Sequence, residues 1–466
     1  MKVFFATAVA ASIAGSYATP FKFCTALVED KMGVESVSVT PEPPKVGQDV
    51  TVEVKFNPVQ DVSAAKIDVN IKALGINVWR EHFDFCADVG IECPAKAGSA
   101  LTGKLVYKVP AFTPPGITAD IEVLLTDAAG SVLSCAVVQE KAVKDAHLRS
   151  SVVPTRREVE FLFESWRRQH GMVFSPAELV ARLDAFEANH HKILAHNADP
   201  EATWTMGHNQ FSHLSQAEFE DQFLSAPPPM PGFGEPALPW EEFQADHPMP
   251  ALTSAGAIDP LDWTTRGAVT GVKDQHLNGI ACGSCWSFSA TGAIEGVHAV
   301  KHGGLVSMSE QQLIDCNSAN HGCAGGYMTL AFDYVKHNGI STEEAYPYTA
   351  VQGGCAGGTS ALGPGWVTGY YAVPPLLESE LVRAVSSHPT SVGVCAGDIQ
   401  LYAGGVFSGK CCNQINHGML AVGYGNGFWK VKNSWGTGWG EGGYIRFVFG
   451  RNQCGIANMV SFPRMV

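Results

Sequence analysis

Apolar residues in this chain recur at two different periods, and the change between them sets the architecture. From Phe21 to about Val143 they fall on every second position in short runs. VTVEVKF places Val50, Val52, Val54 and Phe56 on one face and Thr51, Glu53 and Lys55 on the other. KIDVNIKA repeats this with Ile67, Val69 and Ile71, and KLVYKV and DIEVLL continue it between turn stretches such as TPEPPKVG, FTPPG and TDAAG. Short alternating strands at this spacing predict an all-β sandwich. From Thr155 to about Ser225 the period becomes helical. No single core satisfies both periods, and 466 residues exceed the usual size of one domain, so two or three domains are expected.

The net charge of −14 and the absence of a Lys/Arg cluster argue against a nucleic-acid partner. The opening MKVFFATAVAASIAGSYA has one lysine, an apolar run and small residues at its end, which reads as a secretory signal peptide over residues 1–18. No later run approaches the length of a membrane span. The expected location is therefore extracellular or the endolysosomal lumen, as a soluble monomer. Thirteen cysteines suit an oxidising compartment, and the odd count leaves at least one thiol unpaired.

Four cysteines fall in the alternating region: Cys24 and Cys135 at its ends, Cys86 and Cys93 around a short loop. With the turn motifs, this order resembles the ML lipid-recognition family, which includes the Niemann-Pick sterol carrier. The resemblance implies an immunoglobulin-like β-sandwich over residues 19–145 holding a lipid or sterol between its sheets. A sandwich serving only as a spacer is the plainer reading.

In the helical region, Glu178, Arg182, Phe186, Asn189, Ile193 and Asn197 share one stripe. An ordinary amphipathic helix carries aliphatic residues there, so the polar members imply a network with fixed partners. The set resembles the ERFNIN pattern of cathepsin L-type propeptides. GHNQFSH, Gly207–His213, resembles the Gly-x-Asn-x-Phe-x-Asp stretch of that family, with His213 where aspartate is usual. Residues 155–225 are thus expected to be a small helical propeptide that inhibits the enzyme following it. A histidine gains charge as pH falls through about 6.5, which makes His213 a candidate acid-side switch. The Pro-rich PPPMPGFGEPALPW reads as an exposed linker within 226–255.

The last segment, 256–466, carries CGSCW, with Cys285 at the start of a helix. His417 in NHGMLAVGYG follows 132 residues later, and Asn433 in VKNSWGTGWGEGGY 148 residues after Cys285. With LVSMSEQQLIDC and GCAGGYM between them, these motifs resemble papain-like peptidases over the whole segment. The resemblance implies an α+β fold, with a helical and a β-barrel-like subdomain. The thiolate, not the thiol, is the nucleophile, and an adjacent imidazolium and a helix N-terminus favour it. His417 would hold the proton and pass it to the leaving amine; Asn433 would fix the ring through its other nitrogen, and Trp435 would shield that bond.

One departure stands out. The family has two residues between the oxyanion glutamine and the first motif cysteine, whereas six, His276–Ala281, separate Gln275 from Cys282. Both flanks match, and extra length in an exposed turn costs little entropy. We expect Gln275 to keep its place while the loop bulges outward. Loss of its amide would remove roughly 3–4 kcal/mol of transition-state stabilisation.

The resemblance further implies disulfides Cys24–Cys135, Cys86–Cys93, Cys282–Cys323, Cys316–Cys355 and Cys411–Cys454, with Cys395 and Cys412 unexplained. Gly325 and Gly326 would admit an extended substrate backbone. Tyr327, Met328, Gly393, Ile415, Gly418 and Met459 would line an uncharged pocket favouring an aliphatic residue two before the scissile bond. No His-bearing loop caps the cleft, which points to an endopeptidase. No metal spacing or phosphate loop occurs, so no cofactor is expected. The partners are then protein or peptide substrates, the propeptide and a lipid. Two functions fit: a zymogen cysteine endopeptidase with a lipid module, or a lipid carrier with an inert peptidase fold.

Overall fold

The computed structural model describes residues 21–24, 30–41, 48–108, 118–141, 155–224, 234–251, 258–277, 279–357 and 361–466. The expected signal peptide and the ends of the expected linker lie outside them. The chain divides into two compact units, Met1–Phe174 and Ser175–Val466.

The first unit is a two-sheet sandwich. One sheet orders β1 (Phe21–Phe23), β8 (Val132–Lys141), β7 (Thr118–Asp127), β4 (Ala65–Ala73) and β5 (Ile76–Asp84); the other joins β2 (Val34–Thr40), β3 (Asp49–Phe56) and β6 (Leu101–Lys108). All pairings are antiparallel. The alternation does what it predicts. Ile67, Val69 and Ile71 of β4 are buried with Val50, Val52 and Phe56 of β3 in one apolar core. Disulfide Cys24–Cys135 ties β1 to β8, and Cys86–Cys93 closes the loop after β5. Helix α1 (Arg156–Gln169), opened by a Thr155/Glu158 capping box, also belongs to this unit. Its Gln169 side chain bonds the β4–β5 turn, donating to the Gly75 carbonyl (2.8 Å) and accepting from the Asn77 N–H (2.7 Å). The period change at Thr155 therefore marks a change of secondary structure, not the border of the compact unit.

The second unit begins with α2 (Pro176–Asn197), β9 (Trp204–Met206) and α3 (Gln216–Phe223). The polar members of the α2 stripe have fixed partners. Arg182 meets Glu218 (2.7 Å), Asn189 donates to the carbonyls of Ser212 and Leu214, and Asn197 exchanges two bonds with Met206. Strand β9 pairs antiparallel with β13 (Tyr402–Phe407), so this region adds a strand to the sheet that follows.

The rest holds α5 (Cys285–His302), α6 (Glu310–Cys316) and α7 (Met328–Asn338) around one core. Beside them runs a nine-stranded sheet, with β11 (Val367–Ala372), β17 (Met459–Met465), β12 (Thr390–Val394), β14 (His417–Gly425), β15 (Phe428–Lys432) and β16 (Tyr444–Val448) leading to β13 and β9. Strand β10 (Leu261–Asp262) pairs with β14 off this path. Between the unit's two parts, Leu238–His247 is not the exposed linker expected from its prolines. Its last proline, Pro239, precedes helix α4 (Trp240–Asp246), where no backbone N–H is needed. Trp240 and Phe243 are buried against Tyr371 and Phe462, and the Trp240 indole donates to Glu380 (3.0 Å).

Candidate active site

Cys285 is the first residue of α5 and the one free cysteine among the described residues. Disulfide Cys282–Cys323 pins the chain entering that helix, and the Gly283 N–H bonds the Cys323 carbonyl (2.9 Å). His417 opens β14, and Gly418 after it packs on the helix start; a Cβ there would lie 3.1 Å from the Cys285 carbonyl oxygen. Glycine eases that close approach, which brings the imidazole to the thiol's end of the helix. The structure thus places Gly418 beside the Cys285 backbone.

His417 Nε2 donates to Asn433 Oδ1 (2.8 Å), leaving Nδ1 with no hydrogen-bond partner. Asn433 Oδ1 also accepts from the Ser434 N–H (2.8 Å). The Trp435 ring lies 4.7 Å from the imidazole and is fully buried, which keeps water from the His–Asn bond. Burial pushes the Cys285 thiol up to about 11, against the pull of backbone N–H groups including Gly418. Burial likewise pushes His417 down to about 4, with Asn433 opposing. Desolvation thus favours the neutral form of each group.

Gln275 is fully buried. Its Oε1 accepts from the Ser434 hydroxyl (2.8 Å), its Nε2 donates to the Cys282 carbonyl (3.0 Å), and its backbone N–H donates to Ser434 O (2.8 Å). The second amide hydrogen has no such partner. The insertion after it turns back at once: the Ile280 N–H bonds Leu277 O (2.9 Å), Gly279 takes φ +80°, and Leu277 and Ile280 are exposed.

Of the remaining expected residues, Gly393, Ile415 and Met459 meet: a Cβ on Gly393 would lie 2.8 Å from Ile415 and 3.0 Å from Met459. Met328 is buried in the helical core with Met459 packed on that core. Tyr327 is held by paired bonds with Asn320. Gly326 has no room for a side chain against Asn320 and Trp286, and Gly325 takes φ +107°. The structure has disulfides Cys316–Cys355 and Cys411–Cys454, and also joins Cys395 to Cys412, the two cysteines the family pattern left over.

Sequence reasoning missed several supports. Tyr348 bonds the Gln275 carbonyl (2.7 Å) and the Ser284 hydroxyl (2.8 Å). Beneath the site Lys273 meets Glu310 (2.6 Å) and Glu295 (3.2 Å). Burial alone would raise Glu295, but Lys273 and Lys432 hold it low; burial pushes Glu310 up to about 8. Lys273 and Lys432 lie two and one positions before Gln275 and Asn433, so this cluster seats the segments carrying both. Their signal is only a charged residue inside an apolar motif. The propeptide pair His190–His208 (2.9 Å), stacked on Phe186, was also missed.

Comparison with known proteins agrees with this geometry. The model of the papain family of cysteine proteases matches residues 258–464, that of the cathepsin propeptide inhibitor domain residues 163–219, and that of the ML domain residues 18–141. Cysteine endopeptidase Rep1 of Oryza sativa subsp. japonica is 39% identical over 327 residues, 65% of this chain and 83% of that protein. A cathepsin L-like proteinase of Fasciola hepatica is 38% identical over 316 residues, 65% of this chain and 92% of that one. Among solved structures, procathepsin L 3 of the Tenebrio molitor larval midgut matches at TM-score 0.55 and 37% identity, over 66% of this chain and 99% of that one. A recombinant stem bromelain precursor matches at TM-score 0.57 and 34% identity, with the same coverage. The chain belongs to the papain family of cysteine proteases. It is a zymogen-type member that carries a propeptide inhibitor domain behind an N-terminal ML domain, and among its described residues no helix could cross a membrane.

Proposed function

We propose that the protein is an endopeptidase of the secretory or endolysosomal route in which Cys285 and His417 act as a thiolate–imidazolium pair. The carrying observation is the His417–Asn433 bond, which fixes the ring with Nδ1 free at the end of α5 that bears Cys285. When the propeptide leaves, water returns to the site, and the helix N-terminus and imidazolium stabilise the thiolate. The sulfur attacks the scissile carbonyl, and the Gln275 amide and the Cys285 N–H hold the oxyanion. His417 gives its proton to the departing amine, leaving a thioester. It then takes a proton from water as that water attacks, and the acid and thiolate are regenerated. Gly393, Ile415 and Met459 form an uncharged pocket for an aliphatic residue two positions before the cleaved bond.

In the ML domain an apolar slot runs between the sheets, lined by Val37, Val52 and Phe56 on one side and Ile67, Val123 and Val138 on the other. The Ser134 hydroxyl, buried at this slot without a partner, suits the single polar group of an amphipathic lipid. Every disulfide lies within residues 24–135 or 282–454, so cleavage between 226 and 256 would free the peptidase from this module.

Acid-activated protein should hydrolyse a Leu-Arg-type fluorogenic peptide, with one equivalent of an epoxide thiol inhibitor abolishing the activity. Cys285→Ala should be inert yet folded; residual turnover in that pure variant refutes the nucleophile.

A further inference from the structure

The insertion after Gln275 places a histidine in the cleft, and the zymogen shows what that histidine faces. The ring of Phe223, the last residue of α3, lies 3.9 Å from the His276 ring, and Phe211 meets it edge-on at 6.2 Å. Phe211 and Phe219 in turn pack on Trp435 at 5.4 and 5.3 Å, and the Trp435 ring lies tilted 4.7 Å from that of His417. His276 therefore joins a continuous aromatic wall that reaches the catalytic base. Neither ring nitrogen of His276 makes a hydrogen bond. Its backbone N–H donates to Asp274 Oδ1 (2.9 Å), with Nδ1 3.4 Å from the same oxygen, and this carboxylate orients the ring.

Which side of the cleft this is follows from the chemistry. The leaving amine must take its proton from His417, so residues after the scissile bond lie along the His417–Trp435 side. Of the glycines that admit the acyl side, Gly325 and Gly326, the second packs instead against Asn320 and Trp286, two positions before α7 begins. The phenylalanines that cover His276 belong to the propeptide and depart with it. Their place is then vacant, apolar and beside the point where the leaving group emerges.

We propose that His276 is a specificity-determining residue for the leaving-group side of the cleft, selecting substrates with an aromatic side chain in the two positions after the cleaved bond. Phe223 occupies in the zymogen the place such a side chain takes in a substrate. Exposed Leu277, next in the chain, extends the apolar rim. Without the four extra residues only two would separate Gln275 from the disulfide at Cys282, leaving less wall for a side chain to meet.

This rests on the peptidase reading, and its test separates the two. Mature enzyme is assayed on two internally quenched peptides that share an aliphatic and a basic residue before the cleaved bond and carry Phe-Phe or Gly-Gly after it. A peptidyl coumarin amide, which has no residue on the leaving side, serves as a third substrate. We expect kcat/KM to favour the Phe-Phe peptide by about tenfold, the size of one well-packed aromatic contact. His276→Gly should cut that preference to under about threefold, mostly through KM, and His276→Phe should restore it. Equal rates for the two peptides in the unmutated enzyme overturn the proposal, as does a preference unchanged by His276→Gly. If His276→Gly does not fold, the unmutated ratio and its retention in His276→Phe decide. Failure of all three substrates refutes the peptidase reading instead.

Discussion

The sandwich core and the peptidase cleft are both bounded by antiparallel strands, yet they bury opposite kinds of atom. Among the described residues of the sandwich strands, Ser134 is the single buried polar side chain. Around the cleft, Gln275, Glu295, Glu310, His417, Lys432, Asn433 and Ser434 are all buried. A dry core is stabilised by area alone and tolerates any ligand of suitable shape. A polar interior holds each group in one orientation, because every unmade bond there is costly. The first arrangement suits loose recognition of an apolar molecule, and the second suits chemistry at one bond.

The sharpest break in that comparison is chemical. His417→Ala should lower kcat on the order of 10⁴-fold or more, with Asn433→Ala losing less because Asn433 only orients the ring. Neither change should alter the unfolding of the sandwich; fluorogenic assays beside differential scanning calorimetry read both. Next, Gln275→Ala should cost about 10²–10³-fold in kcat at nearly constant KM. A silent Gln275→Ala would mean that the insertion has displaced the oxyanion donor.

Acid distinguishes the regions next. His190 is held neutral by burial, with His191 adding to the effect, its pKa pushed down to about 4. The unfolded chain therefore binds a proton near pH 6.5 that the folded propeptide refuses until about pH 4. Stability contributed by the neutral ring is complete above pH 6.5 and is lost as pH falls through that window, by roughly 3 kcal/mol for this group. In the unit that holds the sandwich, His82 is exposed and His170, after helix α1, is lowered by burial. In Cys285→Ala protein, the transition of the second unit should move further between pH 6.5 and 4.5 than that of the first. His190→Phe should reduce the difference, with buried His388 and His417, each also pushed down to about 4, carrying the rest. A His213→Asp variant with a shifted activation profile, against an unmoved His190→Phe, would reassign the acid response to His213.

The smallest effect tests the dry side. Ser134→Ala removes an unpartnered buried hydroxyl, so the empty sandwich should gain up to about 1 kcal/mol by chemical denaturation. Binding of a sterol or fatty acid should weaken, while binding of a pure hydrocarbon should not. If the variant binds both alike, the hydroxyl has no part in recognition.

Much of this was legible in residue order. Alternation at Val50, Val52 and Phe56 and again at Ile67, Val69 and Ile71 specified which faces meet, because a strand's period leaves only one face for the core. The α2 stripe announced a polar network, since Asn and Arg at helical spacing are unfavourable without partners. The helix at Trp240 was not legible. Prolines before it suggest an open chain, and tertiary contact with Tyr371, Phe462 and Glu380 stabilises a seven-residue helix, which is too short to persist alone.

By itself, then, the sequence determined the kinds of chemistry present: a thiol at a helix start, an imidazole and an amide at the required separations, and two hydrophobic periods that cannot share a core. Only the tertiary structure decided which groups meet. The paired Cys395 and Cys412, the Lys273–Glu295–Glu310 cluster beneath Gln275, and Phe223 over His276 all join residues distant in the chain. Local propensity carries no information about such encounters. They are selected by close packing, where a buried charge or ring persists only if a distant segment supplies its partner.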